Sequence, residues 1–424
     1  MKAASIFGIL AICFTVSAQA SDGNKFSLVQ TNSFSAKSVF PKFERTGNWE
    51  GAERYSTLSA NKEKTMFTSA FSIFTIGSKI ALFNADGSAK WIFPENNAEA
   101  LHINRAVIGT KYVAASSSFG KVYFLDIETG QLAKEIQLSD PDGEEVKYNN
   151  AGPFGELGIM NDQKTFILPS NSGKVFFVDE ESNISSIKVD CLNEDKKENS
   201  RCFFWQPIVT RNDGVMAALV GHGTLLFQRD GRTVERIQSS WHAFPRLSED
   251  GNSIVLTSKY VDERTGKIAQ DIISIPSKGA RKVISIKEEN VDVNFVNQNK
   301  NGDIAFTAKI RDENARLDIP AIGIIQSGQQ NPTYAKMPPK VSELLMSTLY
   351  SAPSFDDIGR IYASDLEGRL LVTDRNGNLL AVKSLNGEVR NEPLIMADGT
   401  IIVPVLGTLY NGLGGLYGFK SKEY

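Results

Sequence analysis

Three histidines, His102, His222 and His242, are the only imidazoles in 424 residues. None stands in the H-x-H or H-E-x-x-H spacing that would aim two ring nitrogens at one metal ion. His222 lies between glycines in "GHGT", where a tight bend is the use the sequence offers it. His102 and His242 precede short apolar runs, a placement open to a ligand-binding or catalytic role. The chain has no G-x-S-x-G elbow and no phosphate-cradling loop, and the glycine-rich "LYNGLGGLYG" joins extended runs without opening a helix. The acidic run "DPDGEE", Asp140 to Glu145, offers carboxylates for calcium but lacks the twelve-residue spacing of an EF-hand loop. No linear catalytic, metal or cofactor constellation is expected. Any site must be assembled from positions far apart in sequence.

The first twenty residues, "MKAASIFGILAICFTVSAQA", carry a positive charge at Lys2, an apolar run from Ile6 to Val16, and Ala18-Gln19-Ala20 as a cleavage site. Residues 1–20 therefore read as a secretory signal peptide, with residues 21–424 as the mature domain. The apolar run is too short to cross a bilayer, and no later run is longer, so no transmembrane segment is expected. Leu10-Ala11-Ile12-Cys13 loosely resembles a lipobox, which leaves lipid anchoring or full secretion as alternatives to a periplasmic location. Cleavage takes the formal charge from −3 to −4 and leaves Cys191 and Cys202. Nothing in that charge balance resembles a footprint for nucleic acid or anionic membrane.

Two cysteines in an exported chain favour a disulfide. They bracket "CLNEDKKENSRC", a charged loop with only Leu192 to pin it, and closing such a loop is worth roughly 3 kcal/mol. "NEDKKENSR" and "DERTGKIAQD" are mixed-charge runs of the kind that solvated loops carry.

The elements that must position these residues announce themselves by repetition. "GKVYFLDIETGQLAKEI", Gly120 to Ile136, is a pair of alternating runs joined at a tight turn, and six more hairpins of this type follow or precede it. Their turn residues are Gly87, Gly130, Asn183, Gly231, Gly279, Gly328 and Gly377, spaced 43 to 53 residues apart. Small residues able to take positive φ recur where two runs meet, as a tight β-turn requires. Another pair of short runs precedes each hairpin, as in "FPRLSEDGNSIVLTS" and "EPLIMADGTIIVPV".

Four short antiparallel strands per unit of about 48 residues is the signature of a β-propeller blade. The only helical turn the pattern offers is "KVSELLMS" after Pro338-Pro339. The last unit has three strands, so the fourth is expected from the N-terminal region, with "KFSLVQT" and "KSVFPKF" as candidates, which removes an open sheet edge. The expected fold is all-β: an eight-bladed propeller closed by an N-terminal strand, or seven blades if the less regular stretch from Asn290 to Met337 is miscounted.

The run "GKVYFLDIETG", and again "SAPSFDDIGRIYASDLEGRLLVTDRNG", resembles the PQQ-type propeller repeat of the quinoprotein-alcohol-dehydrogenase-like superfamily. "FPRLSEDGNSIVLTS" also resembles, in a single copy, a repeat of the TolB-type propeller. The superfamily holds both quinone enzymes and a non-enzymatic, BamB-like branch of exported proteins. Its enzymes use two adjacent cysteines, a Trp platform and a calcium ion. This chain has no adjacent cysteines, and its four Trp, at 49, 91, 205 and 241, are scattered. The resemblance therefore implies the fold and not the quinone cofactor.

The expected function is that of an exported, monomeric, non-enzymatic scaffold that binds an envelope protein. The alternative is an enzyme or glycan-binding propeller with a site assembled from loops over the channel. In this fold the loops entering the innermost strands share one face. Here they are the long ones: Pro94 to Arg105, Ser139 to Gly152, Asp190 to Gln206, Ser239 to Phe244, Pro338 to Tyr350 and Asn386 to Glu392. They bring His102, Arg105, Trp205, Gln206, Trp241, His242, Tyr350, Asn391 and Glu392 to the channel mouth as a candidate binding face. Thiol titration of the unfolded, unreduced mature protein is expected to find no free cysteine; two titratable thiols would mean that Cys191 and Cys202 are open.

Overall fold

The computed structural model describes residues 26–35, 53–55, 58–73, 77–94, 103–144, 153–190, 202, 204, 206–220, 223–238, 244–312, 317–336, 351–385, 387–406 and 414–423. Eight antiparallel sheets follow one another along the chain. We number the blades from the one containing Met66–Ile73. The inner edge of blade 1 is split between Glu53–Tyr55 and Ser59–Ala60, both paired with Met66–Ile73, and Gly77–Asn84 and Ala89–Phe93 complete it. Blades 2 to 7 start at Ile103, Gly158, Val209, Arg246, Val291 and Ser354, and each runs inner to outer through four consecutive strands.

Blade 8 is the exception. Its strands Leu394–Ile395, Ile401–Val405 and Gly415–Glu423 are completed by Phe26–Ser35 from the other end of the chain. The register runs from Phe26 opposite Glu423 to Ser35 opposite Gly415, with a bulge between Gln30 and Asn32. Of the two candidate closing segments, "KFSLVQT" supplies the strand; "KSVFPKF" lies outside the described residues. Closure by an N-terminal strand and the count of eight are as the repeat implies.

The burial of each strand follows from its place in the blade. Second and third strands are sandwiched by neighbouring blades, so both faces are covered and their sequences read as continuous apolar runs. Thr165–Pro169 and Met216–Val220 are buried at every position. Outer strands meet water and turn polar, as in Leu132–Gln137 and Ile184–Lys188. The core is accordingly eight seams rather than one centre, each filled by its own apolar cluster. Phe67, Phe83 and Ile402 fill the seam between blades 8 and 1, while Tyr362, Val372, Val403 and Phe419 fill that between 7 and 8. Cys202 and Phe204 lie in the seam between blades 3 and 4, Cys202 being buried; Cys191 lies outside the described residues.

The turns carry the predicted chemistry with one shift. Gly87, Gly130, Gly231, Gly279, Gly328 and Gly377 all have positive φ. In blade 3 the positive φ falls on Ser182 rather than on Asn183, because Asp179 takes the Asn183 N–H and side-chain amide and so fixes the turn one residue earlier. Gly130 has a second reason to be glycine, since a Cβ there would lie 2.6 Å from the Trp91 ring. Trp91 is itself occupied, its Nε1 donating to the Ile127 carbonyl at 3.1 Å.

Neighbouring blades are clamped by polar side chains as well. Buried Glu180, from blade 3, accepts from Thr110 Oγ1 at 2.5 Å and the Lys111 N–H at 2.7 Å in blade 2. Arg211 of blade 4 reaches the Ile275 and Pro276 carbonyls of blade 5, both at 3.0 Å, while Asp213 holds its other side.

Two expectations about local structure change. "DPDGEE" contains one helical turn, Pro141–Glu144, and Asp140 is buried with its carboxylate accepting from Ser172 Oγ at 2.5 Å. "KVSELLMS" lies outside the described residues. "DERTGKIAQD" is not all loop, because Ile268–Pro276 is a nine-residue strand. Removing Phe26–Ser35 strips blade 8 of its outer strand and exposes two seams. The truncated protein is expected to aggregate or be cleaved rapidly by protease, and a melting midpoint equal to that of the full chain would show the strand to be dispensable.

Candidate interaction face and channel mouth

The topology assigns each loop an end of the ring. Connections from an outer strand to the next inner strand, and turns between second and third strands, share one face. Turns between first and second, and third and fourth, strands share the other.

On the first face the inner strands begin, and four charges from four blades converge there. Arg105 is on the inner strand of blade 2, Glu156 precedes that of blade 3, Arg246 opens that of blade 5, and Glu392 precedes that of blade 8. Arg246 Nη1 donates to Glu392 Oε2, joining blades 5 and 8 across 146 residues of sequence. Burial pulls the Arg105 pKa below its usual value; Glu156 and Glu392 oppose that shift and Arg246 adds to it. Of the sequence-derived candidates, Arg105 and Glu392 are thus brought into one electrostatic cluster. Asn391 is adjacent, its carbonyl accepting from Ser364 Oγ at 3.3 Å. Gln206 is half-buried ahead of the inner strand of blade 4. His102, Trp205, Trp241, His242 and Tyr350 lie outside the described residues.

Glu156 and Arg246 escaped the sequence reading, though the signal existed: both sit at the entrance to an inner strand, the same position that singles out Arg105 and Glu392. Among the described residues no group of three His, Cys, Asp or Glu is placed to hold a metal ion, and no helix is long and apolar enough to cross a membrane.

The same face carries a second feature. The middle strands of blades 5 and 6 run nine residues each, Ser253–Val261, Ile268–Pro276, Ile304–Asp312 and Leu317–Ile325, against five or six in blades 2 to 4. The surplus projects as two β-arms. Between them lies a cleft of ≈ 900 Å³ walled by Lys259, Ile268 and Gln270 on one side and Lys309, Arg311 and Asp318 on the other. Gln270 ties its base together, Nε2 donating to the Val291 carbonyl at 2.6 Å and Oε1 accepting the Val293 N–H at 2.8 Å. Lys259–Asp292 and Lys267–Glu289 ion pairs fasten the blade 5 arm to blade 6. At its tip Val261 and Ile268 are cross-strand partners, 61% and 72% exposed.

The other end of the channel is narrowed by its own turns. Lys64 of blade 1 and Glu249 of blade 5, on opposite sides of the ring, approach to 3.8 Å, and Lys300 meets Asp357 at 3.1 Å. A cavity of ≈ 320 Å³ remains between these turns.

No family model matches the chain, and neither does any curated protein. Solved structures similar to it include the Dos1 propeller, 11% identical over 93% of this chain and 95% of that one, with a TM-score of 0.57. The quinohemoprotein alcohol dehydrogenase ADHIIG from Pseudomonas putida HK5 is 11% identical, covers 95% of this chain and 77% of its own, and has a TM-score of 0.53. BamB from Moraxella catarrhalis is 11% identical over 92% of this chain and 99% of that one, with a TM-score of 0.42. At this identity the likeness is one of propeller fold alone.

The Arg246–Glu392 pair is largely shielded, its side chains 21% and 25% exposed. Arg246→Ala is expected to cost about 1–3 kcal/mol by leaving Glu392 without its partner. Combining it with Glu392→Ala should cost less than the sum of the single changes by roughly 1 kcal/mol. Strictly additive losses in urea unfolding would mean that the two charges are independent.

Proposed function

We propose that the protein is an exported, non-enzymatic scaffold of the cell envelope that binds a protein partner through the face carrying the arms and the long loops. The observation that carries this reading is the exposed Val261–Ile268 pair at the tip of the blade 5 arm. The blade 5 arm is held to blade 6 by Gln270 and by the Lys259–Asp292 pair, which lowers the freedom it would lose on association. An apolar pair projecting beyond the ring contributes nothing to the seams. Burying both side chains against a partner would yield about 2–4 kcal/mol.

Export, a periplasmic location and the Cys191–Cys202 disulfide belong to the same proposal, supported by the leader and the cysteine count of the sequence. So do the candidate positions His102, Trp205, Trp241, His242 and Tyr350, which the sequence assigns to the same binding face.

The test is affinity capture of the mature protein from its own cell envelope, with the captured partner identified by mass spectrometry and its affinity then measured with purified components. Val261→Asp with Ile268→Asp, in a protein of unchanged circular dichroism and melting temperature, is expected to weaken that affinity at least tenfold. Unchanged affinity in the folded double variant would place the binding surface elsewhere.

A further inference from the structure

One cation of the channel-mouth cluster has carboxylates near it but makes no hydrogen bond to them. Arg246 is engaged by Glu392. No described residue hydrogen-bonds or ion-pairs with the Arg105 side chain, and its Nε is closed off from solvent while donating to nothing. Arg105 as a whole is half-buried, but a guanidinium Nε–H closed off from water without an acceptor is costly, and such unsatisfied donors are rare in folded proteins; an acceptor brought by a ligand would complete it.

We propose that Arg105 is the receptor for a single carboxylate of the protein partner, an Asp or Glu side chain inserted into the channel mouth. This rests on the scaffold reading above. Three observations define the ligand. First, a guanidinium presents a planar fork that matches a carboxylate with two parallel N–H···O bonds, and such pairs strengthen when water is excluded. Second, the cluster already sets two carboxylates, Glu156 and Glu392, against two guanidiniums, Arg105 and Arg246. One added monoanion leaves a small local excess of negative charge, whereas a phosphate dianion would double it next to both glutamates, so carboxylate is favoured over phosphate. Third, the mouth opens on the face of the projecting arms, so a protein docked there overlies it, and a side chain descending from that protein reaches Arg105 without entering from the narrowed end.

The experiment uses full-length mature protein with ¹⁵N-labelled arginine, the Arg105 Nε–Hε resonance being assigned by Arg105→Lys. The probes are the blocked peptide Gly-Gly-Asp-Gly-Gly, its Asn counterpart, sodium acetate and inorganic phosphate at matched ionic strength. The Asp peptide is expected to shift the Arg105 resonance saturably and the Asn peptide to leave it in place, with phosphate at least tenfold weaker. Arg105→Met should abolish Asp-peptide binding without lowering the melting temperature of the free protein, because it removes a buried donor that has no acceptor.

Several results would overturn the inference. No saturable shift up to roughly 50 mM peptide, where even a Kd near 10 mM would be seen, is one. Equal shifts from the Asp and Asn peptides, or tighter phosphate binding, are others. Acetate binding without peptide binding would make this a site for a small acid and reject the peptide side chain. An Arg105→Met protein that melts several degrees lower would make the residue a structural support. Partner capture that survives Arg105→Met, with no peptide binding to the unaltered protein, would reject the role of Arg105 and leave the scaffold reading standing.

Discussion

Everything in this molecule depends on the pairing of Phe26–Ser35 with Gly415–Glu423. Each blade hides the faces of its middle strands only if a neighbour stands on both sides, and the last blade of an open array has no such neighbour. The N-terminal strand solves this by occupying two seams. Phe26 and Leu28 pack in the cluster between blades 7 and 8, while Phe34 packs with blade 1, its ring 4.9 Å from Phe83 in an edge-on contact. Hydrogen bonds set the register and the three apolar side chains lock the ring. Loss of the strand would expose both a sheet edge and two apolar surfaces at once.

A closed ring of near-identical units then has to keep each unit in its place. Apolar seams alone discriminate poorly between neighbours, because every seam is filled by the same few kinds of aliphatic and aromatic side chain. The polar clamps differ from seam to seam: Glu180 reaches back to blade 2, Arg211 forward to blade 5, and Arg375 of blade 7 contacts Asp303 of blade 6 at 3.3 Å. A buried acceptor such as Glu180 is satisfied by one specific neighbour, so a wrong pairing would strand it at a cost of about 1–3 kcal/mol. These contacts add specificity to a core whose apolar content is almost interchangeable.

Rigidity of the ring is what makes its departures from regularity informative. The two arms and the channel-mouth charges lie on one face, and neither is needed to fill a seam. Lengthened strands in blades 5 and 6 expose backbone and apolar side chains that shorter hairpins would have kept within the ring. The far end of the channel is instead drawn together by the Lys64–Glu249 approach across its diameter. The two ends of the molecule thus differ in kind, one narrowed and the other projecting.

How much of this the sequence specifies by itself depends on the range of the force involved. Positive φ at Gly130 or Gly377, the polarity of Leu132–Gln137 and the apolar run Thr165–Pro169 are decided within a few residues, so the 48-residue period, the number of blades and the missing fourth strand are all legible in the chain. Ser182 rather than Asn183 marks the limit even there, because hydrogen bonds donated by Asn183 to the Asp179 carboxylate select between adjacent turn residues. The site was only partly legible. Arg105 and Glu392 stand at recognisable inner-strand entrances. That Arg246 takes Glu392 while Arg105 is left without a partner could be settled only when the ring brought separate blades to a common axis. The arms were hidden for a related reason: "DERTGKIAQD" is polar enough to pass for a loop, and only pairing of Val261 with Ile268 across the tip turns it into the end of a hairpin. Local propensity fixes the blade, whereas contacts between charges that are distant in sequence exist only in the closed structure.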